Sequence, residues 1–371
     1  MKQRYIFFFI GTEAELIKIF PVVAEIKKRE IPYKIIASGQ NDITDSAVFC
    51  RVKIGRVDVE LSKEADIKKS AFGLFSWCLK TYCTAKNKIK AAFADADFAH
   101  SIMVVHGDTV STVLGAKVGK QLGMQIAHVE AGLRSHNLLN PFPEEIDRML
   151  TSHYATISFA PGKDACANLK RKKTGIIDTH YNSVLDSLNF SRTLPCEDSS
   201  ILALQNSRYF VFVLHRQENL AHRALVEAVI LQIRNISKEM QCVCILHKTT
   251  EIALENYGLL DALRAESNIS MLSRRQYFDF MKLLDNAQFV ITDGGSNQEE
   301  LSYMGKPCLI LRNYTERSDG LGENAVLYQG NVGAIPDFAL NYKQYCRASV
   351  SVEDKPSSII AETLAREVFD L

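Results

Sequence analysis

The sequence is poor in the features that mark membrane, nucleic-acid-binding and disulfide-rich proteins. No apolar run approaches the ~18 residues of a membrane span. A formal net charge of +1 over 371 residues gives no bulk attraction for nucleic acid or a membrane surface. The nine cysteines include no CxxC pair, which favours reduced thiols and argues against a zinc site. We therefore expect a cytoplasmic protein with neither a membrane span nor a nucleic-acid partner.

Familiar catalytic and nucleotide-binding signatures are missing as well. The chain contains no GxSxG nucleophile motif, no P-loop and no GxGxxG dinucleotide fingerprint. It also has no low-complexity tract and no repeat of short, fixed period. The function must therefore be sought in the order of strands and helices, and in the residues that follow each strand.

Short apolar runs alternate with segments of helical spacing along most of the chain. Strands are predicted at 5–10, 31–37, 102–105, 125–129, 155–159, 209–214, 242–246, 268–272, 287–291 and 307–311. Helices are predicted at 16–26, within 64–97, and at 111–122, 144–153, 224–237 and 253–264. This alternation predicts parallel sheets with helices on both faces. We predict an α/β protein of two Rossmann-like, doubly wound domains, 1–190 and 191–354, separated by a polar loop at 191–207, with the ligand in the cleft between them.

Three carboxylates stand on neighbouring loops of the first predicted domain. Asp108 and Glu130 directly follow strands, and Glu144 follows a Pro-Phe-Pro turn at the start of a helix. Carboxylates held near a substrate are suited to general acid–base catalysis. The alternative is that each one caps a helix or pairs with an arginine such as Arg134 or Arg148.

The segment TDGGSNQEE, residues 292–300, is the clearest candidate for a phosphate-binding turn. Its glycines follow a strand and precede a helix, whose free N–H groups attract anions. Gly11-Thr12 forms a similar turn, while His215-Arg216 and Arg317 add groups that can donate to a diphosphate. The alternatives are an ordinary strand-to-helix turn and, for the arginine, an ion pair with Glu316 or Glu323.

Taken together, these segments resemble the UDP-N-acetylglucosamine 2-epimerase family, and more closely its non-hydrolysing bacterial branch. The matching segments are GTEAELIK at 11–18, VHGDT at 105–109, HVEAGLR at 128–134, PFPEEIDR at 141–148, HRQEN at 215–219, TDGGSNQEE at 292–300, GKPCLILR at 305–312 and TER at 315–317. They occur in the family's order and spacing, and as a set they are highly specific.

The resemblance implies a GT-B fold whose C-terminal helix, within 355–371, packs back on the first domain. It implies inversion at C2 of UDP-GlcNAc to give UDP-ManNAc, by loss of the C2 proton, expulsion of UDP, and re-addition of both. It also implies a UDP-sugar substrate, a homodimer and a role in surface polysaccharide supply, with neither a metal nor a nicotinamide cofactor.

The family's residue roles can be carried over by motif. The resemblance makes Asp108, Glu130 and Glu144 acid–base candidates, with Lys18 and His215 as further catalytic groups. The implied substrate-binding residues are Gly11, Gln40, Arg148, Arg216, Gly294, Gly295, Ser296, Glu300 and Arg317, with Glu300 on the ribose and Arg317 on the diphosphate.

Three departures from the family pattern concern the ligand loops. Glu13 and Ala14 replace the family's Arg and Pro, and we expect Glu13 either to point away from the ligand or to be offset by Arg274 or Arg275. Gly294-Gly295-Ser296 replaces Ser-Gly-Gly, and residues 39–44 replace the GQHREM loop of a second, activating UDP-GlcNAc site. The alternatives are a hydrolysing relative that releases UDP and a ManNAc-type sugar, a GT-B glycosyltransferase, and a non-catalytic sugar-nucleotide sensor.

Overall fold

The computed structural model describes residues 2–64, 71–137, 142–170, 175–315 and 317–369. Several positions covered by the sequence predictions lie outside these ranges: residues 65–70 of the region 64–97, Pro141, Glu316, and residues 370–371 of the C-terminal segment. The chain divides into two compact units, a first unit of Met1–Ser187 with Glu353–Leu371 and a second unit of Leu188–Val352. Within the described ranges, no helix is long and apolar enough to cross a membrane.

The first unit contains a parallel sheet with helices between its strands. Its strands are β1 (Ile6–Ile10), β2 (Tyr33–Ala37), β3 (Val59–Glu60), β4 (Ile102–His106), β5 (Gln125–Val129), β6 (Ile157–Ala160) and β7 (Gly175–Asp178). Its helices are α1 (Glu13–Lys28), α2 (Ala47–Val52), α3 (Ala71–Ala92), α4 (Val110–Leu122), α5 (Glu144–Tyr154), α6 (Lys163–Leu169), α7 (Val184–Thr193), which ends in the second unit, and α16 (Pro356–Phe369).

The strands of this sheet run in the order β3-β2-β1-β4-β5-β6-β7, and all neighbours are parallel. Phe7 and Phe9 of β1 and Val105 of β4 belong to one buried apolar cluster with Leu114 of α4. Such continuous apolar strands are typical of a sheet covered on both faces. On α1, the buried residues face the sheet and α16 packs against the same helix.

The second unit repeats this design. Its strands are β8 (Tyr209–Val213), β9 (Gln241–Leu246), β10 (Ile269–Ser273), β11 (Val290–Thr292), β12 (Cys308–Ile310) and β13 (Ala325–Leu327). Its helices are α8 (Ser199–Leu202), α9 (Gln217–Leu220), α10 (Arg223–Ser237), α11 (Lys248–Asn256), α12 (Leu260–Arg264), α13 (Tyr277–Asn286), α14 (Gly295–Met304) and α15 (Ala334–Asn341). The parallel sheet has the order β10-β9-β8-β11-β12-β13.

The strand order reverses at one point in each sheet, between β1 and β4 in the first unit and between β8 and β11 in the second. Ligands of open parallel sheets bind outside the carboxyl ends of the strands at such a switch point. The residues that follow these strands are Gly11 and Gly107-Asp108 in the first unit, and Leu214-His215 and Asp293 in the second. Both switch points therefore coincide with segments that the sequence analysis selected.

Two details of the sequence prediction are wrong. The single helix expected at 253–264 is two helices, α11 and α12, because Gly258 adopts a φ of +70° that interrupts the helical path. The loop expected at 191–207 contains the end of α7 and the short helix α8, which Asp198 caps by accepting from the Ser200 N–H. The two units divide near the middle of α7, between Ser187 and Leu188.

Candidate active site

Lys18 and Glu130 form a buried ion pair at the switch point of the first unit. Lys18 lies in the second turn of α1, and its Nζ is 2.5 Å from Oε2 of Glu130, which directly follows β5. The Asn182 amide donates to the same oxygen, and Nε2 of His106 lies 3.5 Å from it. Glu130 has a φ of +63°, a conformation that non-glycine residues adopt at a cost. The surrounding structure thus fixes this carboxylate firmly.

Asp108 and Arg148 form another ion pair beside this switch point. Nη2 of Arg148, on α5, donates to Oδ2 of Asp108 over 2.6 Å. Nη1 of the same arginine donates to Glu145 over 3.3 Å, and Arg134 lies 3.5 Å from Glu145. Burial lowers the pKa of Arg148. The charge of Asp108 and its hydrogen bond with Arg148 outweigh this effect, so the pKa of Arg148 is raised overall. Asp108 therefore does pair with an arginine, as the alternative interpretation expected, and this ion pair orients its carboxylate.

Glu144 and Asp147 are the remaining carboxyls on this side of α5. Glu144 opens the helix after Pro143, and its Oε2 is buried without a hydrogen-bond partner among the described residues. Asp147 lies one turn further and is buried, and its Oδ2 also lacks a partner there. Burial, reinforced by Asp108 and Glu144 and opposed by Lys117, raises the pKa of Asp147 to about 7. This group can therefore exchange a proton near neutral pH.

The turn after β1 is shaped by close contacts with α4. A Cβ on Gly11 would lie 2.1 Å from Oγ of Ser111, so only glycine fits there. Gln40 follows β2 and accepts from the Ser111 hydroxyl over 2.6 Å. Glu13 accepts from the Ser46 hydroxyl over 2.7 Å, while the arginine expected to offset it, Arg275, lies 3.0 Å from Asp198.

Asp293 organises the switch point of the second unit. It is fully buried after β11 and accepts backbone N–H bonds from His215 and Arg216 over 3.0 and 2.9 Å, and a side-chain bond from Asn219 over 3.1 Å. The His215 Nδ1 lies 3.1 Å from its Oδ1. Burial raises the pKa of Asp293, but His215 and these backbone bonds outweigh it, so the pKa is lowered overall. Asp293 is therefore a fixed negative charge at neutral pH.

His215 is held from both sides. Its ring stacks on His247 with centroids 4.7 Å apart and planes 19° apart. Burial, together with the neighbouring His215 and Arg274, lowers the pKa of His247 to about 4, so His247 is neutral at pH 7. A Cβ on Gly294 would lie 2.7 Å from Oδ1 of Asn297 and 3.0 Å from Cε1 of His215, so a side chain here would have to displace these neighbours. The imidazole of His215 is thus aligned beside the turn before α14.

The start of α14 offers backbone donors to an anion. Gly294 precedes the helix without a side-chain cap, and Gly295 and Ser296 form its first turn, whose N–H groups lack intrahelical partners. Glu300 is buried one turn further on. Arg317 donates to Oε2 of Glu299 over 2.5 Å, and Glu316, one of the two partners considered for it, lies outside the described residues. Arg216 reaches Glu218 over 2.9 Å.

Sequence reasoning missed several residues of these clusters. Asn182 was missed because β7, the strand before it, is short and only half buried at the sheet edge. Glu15 was overlooked although Thr12-x-x-Glu15 has the spacing of a capping box, a signal that could have found it. Asp293 was assigned no role of its own, since its partners His215 and Asn219 are distant in sequence. The described residues contain no group of three or more His, Cys, Asp or Glu that could hold a metal ion.

Comparisons with known proteins agree with this architecture. The family model for UDP-N-acetylglucosamine 2-epimerase matches residues 24–335. The Methanococcus maripaludis UDP-N-acetylglucosamine 2-epimerase is 28% identical over 335 residues, which cover 87% of each chain. The Neisseria meningitidis UDP-GlcNAc 2-epimerase, solved with UDP-GlcNAc bound, is 26% identical with a TM-score of 0.79, covering 98% of this chain and 100% of that one.

A Listeria monocytogenes structure, described as a putative UDP-N-acetylglucosamine 2-epimerase, gives a TM-score of 0.83 at 24% identity and covers 100% of this chain and 98% of its own. At 24% identity this similarity supports only the fold. Together with the two parallel sheets, these neighbours confirm the predicted GT-B fold class. Because the family model covers well over half of the sequence, the chain belongs to the UDP-N-acetylglucosamine 2-epimerase family, a family of isomerases.

Proposed function

We propose that this protein inverts C2 of UDP-GlcNAc, or of a modified UDP-HexNAc, to give the UDP-ManNAc-type product without net hydrolysis. The observation that carries the proposal is the pair of carboxylates after β4 and β5, Asp108 and Glu130, each held by a buried cation at the switch point. Family membership adds the substrate class, because the relatives are named for this sugar nucleotide and one was solved with it bound.

The proposed reaction is an elimination followed by an addition. A carboxylate of the first unit takes the C2 proton while the C1–O bond breaks, and UDP leaves with the bonding electron pair. The UDP oxygen then attacks C1 of the resulting 2-acetamidoglucal, and a proton is delivered to the other face of C2. Acid and base groups on both faces are needed, and Asp108, Glu130 and Glu144 supply three carboxyls for them. Lys18 adds a positive charge beside Glu130.

The second unit is proposed to hold UDP through both steps. The backbone donors at Gly295 and Ser296, the imidazole of His215 and the guanidinium of Arg317 suit a diphosphate. Glu300, buried on the same helix, is proposed to accept from the ribose hydroxyls. Retaining UDP matters because re-addition competes with escape, and a bound leaving group has a high effective concentration. The other residues proposed to bind the UDP-sugar are Gly11, Gln40, Arg148, Arg216 and Gly294.

Deuterium exchange at C2 tests this proposal directly. We expect the protein, incubated with UDP-GlcNAc in deuterated water, to form UDP-ManNAc that carries deuterium at C2, followed by NMR. Free UDP with a reducing sugar would instead identify a hydrolysing enzyme. No exchange at C2, together with transfer of the sugar to an added acceptor, would identify a glycosyltransferase. Binding of UDP-GlcNAc without any turnover would indicate a sensor.

We also propose a homodimer formed through an apolar strip on α3 and α5. Phe75 and Leu79 of α3 are 66% and 55% exposed and lie one helical turn apart, and α5 exposes Met149. Both helices pack against α4. Burying such a patch against its symmetry mate is the common route to a dimer. Sedimentation should show a dimer that the pair Phe75→Glu and Leu79→Glu converts to a monomer.

The proposed location is the cytoplasm, with a role in supplying precursors of surface polysaccharide. The nine cysteines are all free, and Cys50, Cys83 and Cys346 are exposed, which suits a reducing compartment. Cell fractionation tests the location. A deletion strain that keeps its wild-type surface polysaccharide would contradict the proposed role.

A further inference from the structure

Glu15 is a buried carboxyl that the proposed proton transfer does not use. It lies in the first turn of α1 and is 3% exposed. Its Oε2 accepts from the Gly11 N–H over 2.7 Å, and its Oε1 accepts from the Thr109 hydroxyl over 2.5 Å. Gly11 follows β1 and Thr109 follows Asp108 after β4. The side chain therefore bridges the two turns at which the strand order reverses.

These contacts differ from those of an ordinary helix cap. In a capping box, the carboxylate three residues after the N-cap accepts from the N-cap's own N–H. Here the N-cap is Thr12, and the Glu15 carboxylate also accepts from the preceding Gly11 N–H and, with its second oxygen, from Thr109 in another turn of the sheet, beside a weaker backbone interaction with Thr12. One side chain thus links α1 to the residue next to Asp108.

Thr109 in turn connects Glu15 to the start of α4. Its Oγ1 accepts from the Thr112 N–H over 3.2 Å and caps the helix, and the Thr112 hydroxyl donates to the His106 carbonyl over 2.6 Å. An ionised Glu15 can only accept, so it fixes the direction of the Thr109 hydroxyl proton. A protonated Glu15 carries an O–H on one of its two oxygens, and that oxygen becomes a poorer acceptor for its partner, Gly11 or Thr109.

The charges around α1 leave Glu15 sensitive to pH. Burial is the largest effect on its pKa, and with the charge of Asp108 it outweighs the bonds from Thr109, Gly11 and Thr12 and raises the pKa to about 7. Lys18, one turn along, pairs with Glu130, and Glu13 faces Ser46 beside α2. On the side of α1 that faces α16, the charged groups include Glu25, Asp186 and Lys355. Glu25 lies nearly three helical turns from Glu15.

We propose that Glu15 is a positioning residue, whose ionised form holds the Asp108–Thr109 turn against the Gly11–Thr12 turn in the arrangement that proton transfer at C2 requires. The inference rests on the proposed function, because Asp108 is a proton-transfer group only in that reaction. Glu15 itself is not proposed to contact the substrate. Protonation of Glu15 loosens the turn that carries Asp108, so turnover falls as the pH decreases through about 7.

The kinetic test uses the full chain and UDP-GlcNAc with C2 exchange as the readout. We expect Glu15→Gln to lower kcat about tenfold, because a small misplacement of a catalytic group is costly, and to change KM by less than about twofold. The fall of kcat below about pH 7 should shift or disappear in this variant. A Glu15→Gln enzyme with the wild-type kcat and pH profile overturns the proposal.

Two further sets of variants separate positioning from stability. Thr109→Val should match the loss in Glu15→Gln, the double variant should lose no more than either single one, and Thr109→Ser should retain most activity. Asp186→Asn is the matched control, because it also removes a buried carboxyl with a raised pKa that accepts a backbone N–H, here from Ser357. It should leave both kcat and the pH profile unchanged. Additive losses in the double variant would count against the link.

Hydrogen–deuterium exchange measured by mass spectrometry gives a readout that does not depend on activity. If Glu15 bridges the two turns, Glu15→Gln should speed exchange in peptides covering both 7–16 and 105–113. Faster exchange confined to 7–16 would reduce Glu15 to a local cap and overturn the inference. This measurement also distinguishes the two proposals, since a wild-type protein without C2 exchange would refute the proposed function and still show whether the bridge exists.

Discussion

The two switch points have the same backbone plan and opposite electrostatics. In the first unit, the cations Lys18 and Arg148 hold Glu130 and Asp108, and the pKa values of the nearby carboxyls Glu15 and Asp147 are raised to about 7. In the second unit, one fully buried carboxylate, Asp293, accepts several N–H bonds, and its pKa is lowered. Burial raises the pKa of Glu15, Asp147 and Asp293 alike, and of these three only at Asp293 do His215 and the backbone N–H bonds outweigh it.

This difference teaches how one architecture can serve two tasks. A carboxyl with a pKa near 7 can take up and release protons under ordinary conditions, whereas an ionised, fully bonded one serves as a fixed counter-charge. The first switch point is therefore suited to moving a proton and the second to orienting donors around an anion. The following predictions test that division.

Neutralising Asp108 should have the largest effect. We expect Asp108→Asn to lower C2 exchange by about a thousandfold or more, because an amide cannot take or give the proton, while UDP binding changes by less than about twofold. NMR exchange and calorimetric titration with UDP measure the two quantities. The exposed Asp261→Asn serves as the control for neutralising an aspartate. Near-normal exchange in Asp108→Asn would remove this residue from the chemistry.

Neutralising Asp293 should mainly weaken binding. Asp293→Asn removes the charge that aligns His215 and accepts the Arg216 N–H, so we expect the Kd for UDP to rise about tenfold. Exchange at saturating substrate should fall much less than in Asp108→Asn. If Asp293→Asn abolished exchange and left the UDP affinity intact, the proposed division of tasks between the two units would be wrong.

Replacing Asp147 should increase stability in alkaline solution. Its folded pKa of about 7 exceeds the ordinary value of 3.8, so the folded state binds more protons than the unfolded state between these values. Its contribution to the free energy of unfolding therefore decreases as the pH rises through that window and is constant above it. Asp147→Asn should raise this free energy by about 2 kcal/mol at about pH 8 and by less at about pH 5, measured by urea unfolding. An equal change at both values would show that the charge is not responsible.

The smallest effect is expected at His247, which stacks on His215. Because its pKa is lowered to about 4, the ring is neutral near pH 7 and acts by packing. His247→Phe keeps a ring in place and should change KM by less than about twofold, whereas His247→Ala should raise it about threefold. Steady-state kinetics at pH 7 decide this. Equal losses in both variants would mean that a ring nitrogen of His247 matters.

The alternation of apolar runs with helical spacing was enough to predict both parallel sheets, and the motifs led to the segments at both switch points. The prediction was weaker where local signals are poor. Edge strand β7 is short and half buried, so neither it nor Asn182 was found. The break at Gly258 was missed because an isolated glycine within a helical pattern does not reveal its φ.

The sequence by itself determined the fold class and the family and selected the candidate site residues, because strand spacing, turn residues and short motifs are local properties. Only the tertiary structure decided which groups act as pairs. Lys18 meets Glu130, Arg148 meets Asp108 and Glu15 meets Thr109 across 112, 40 and 94 positions of sequence. Whether a buried carboxyl is charged depends on such distant partners, and no local pattern contains them.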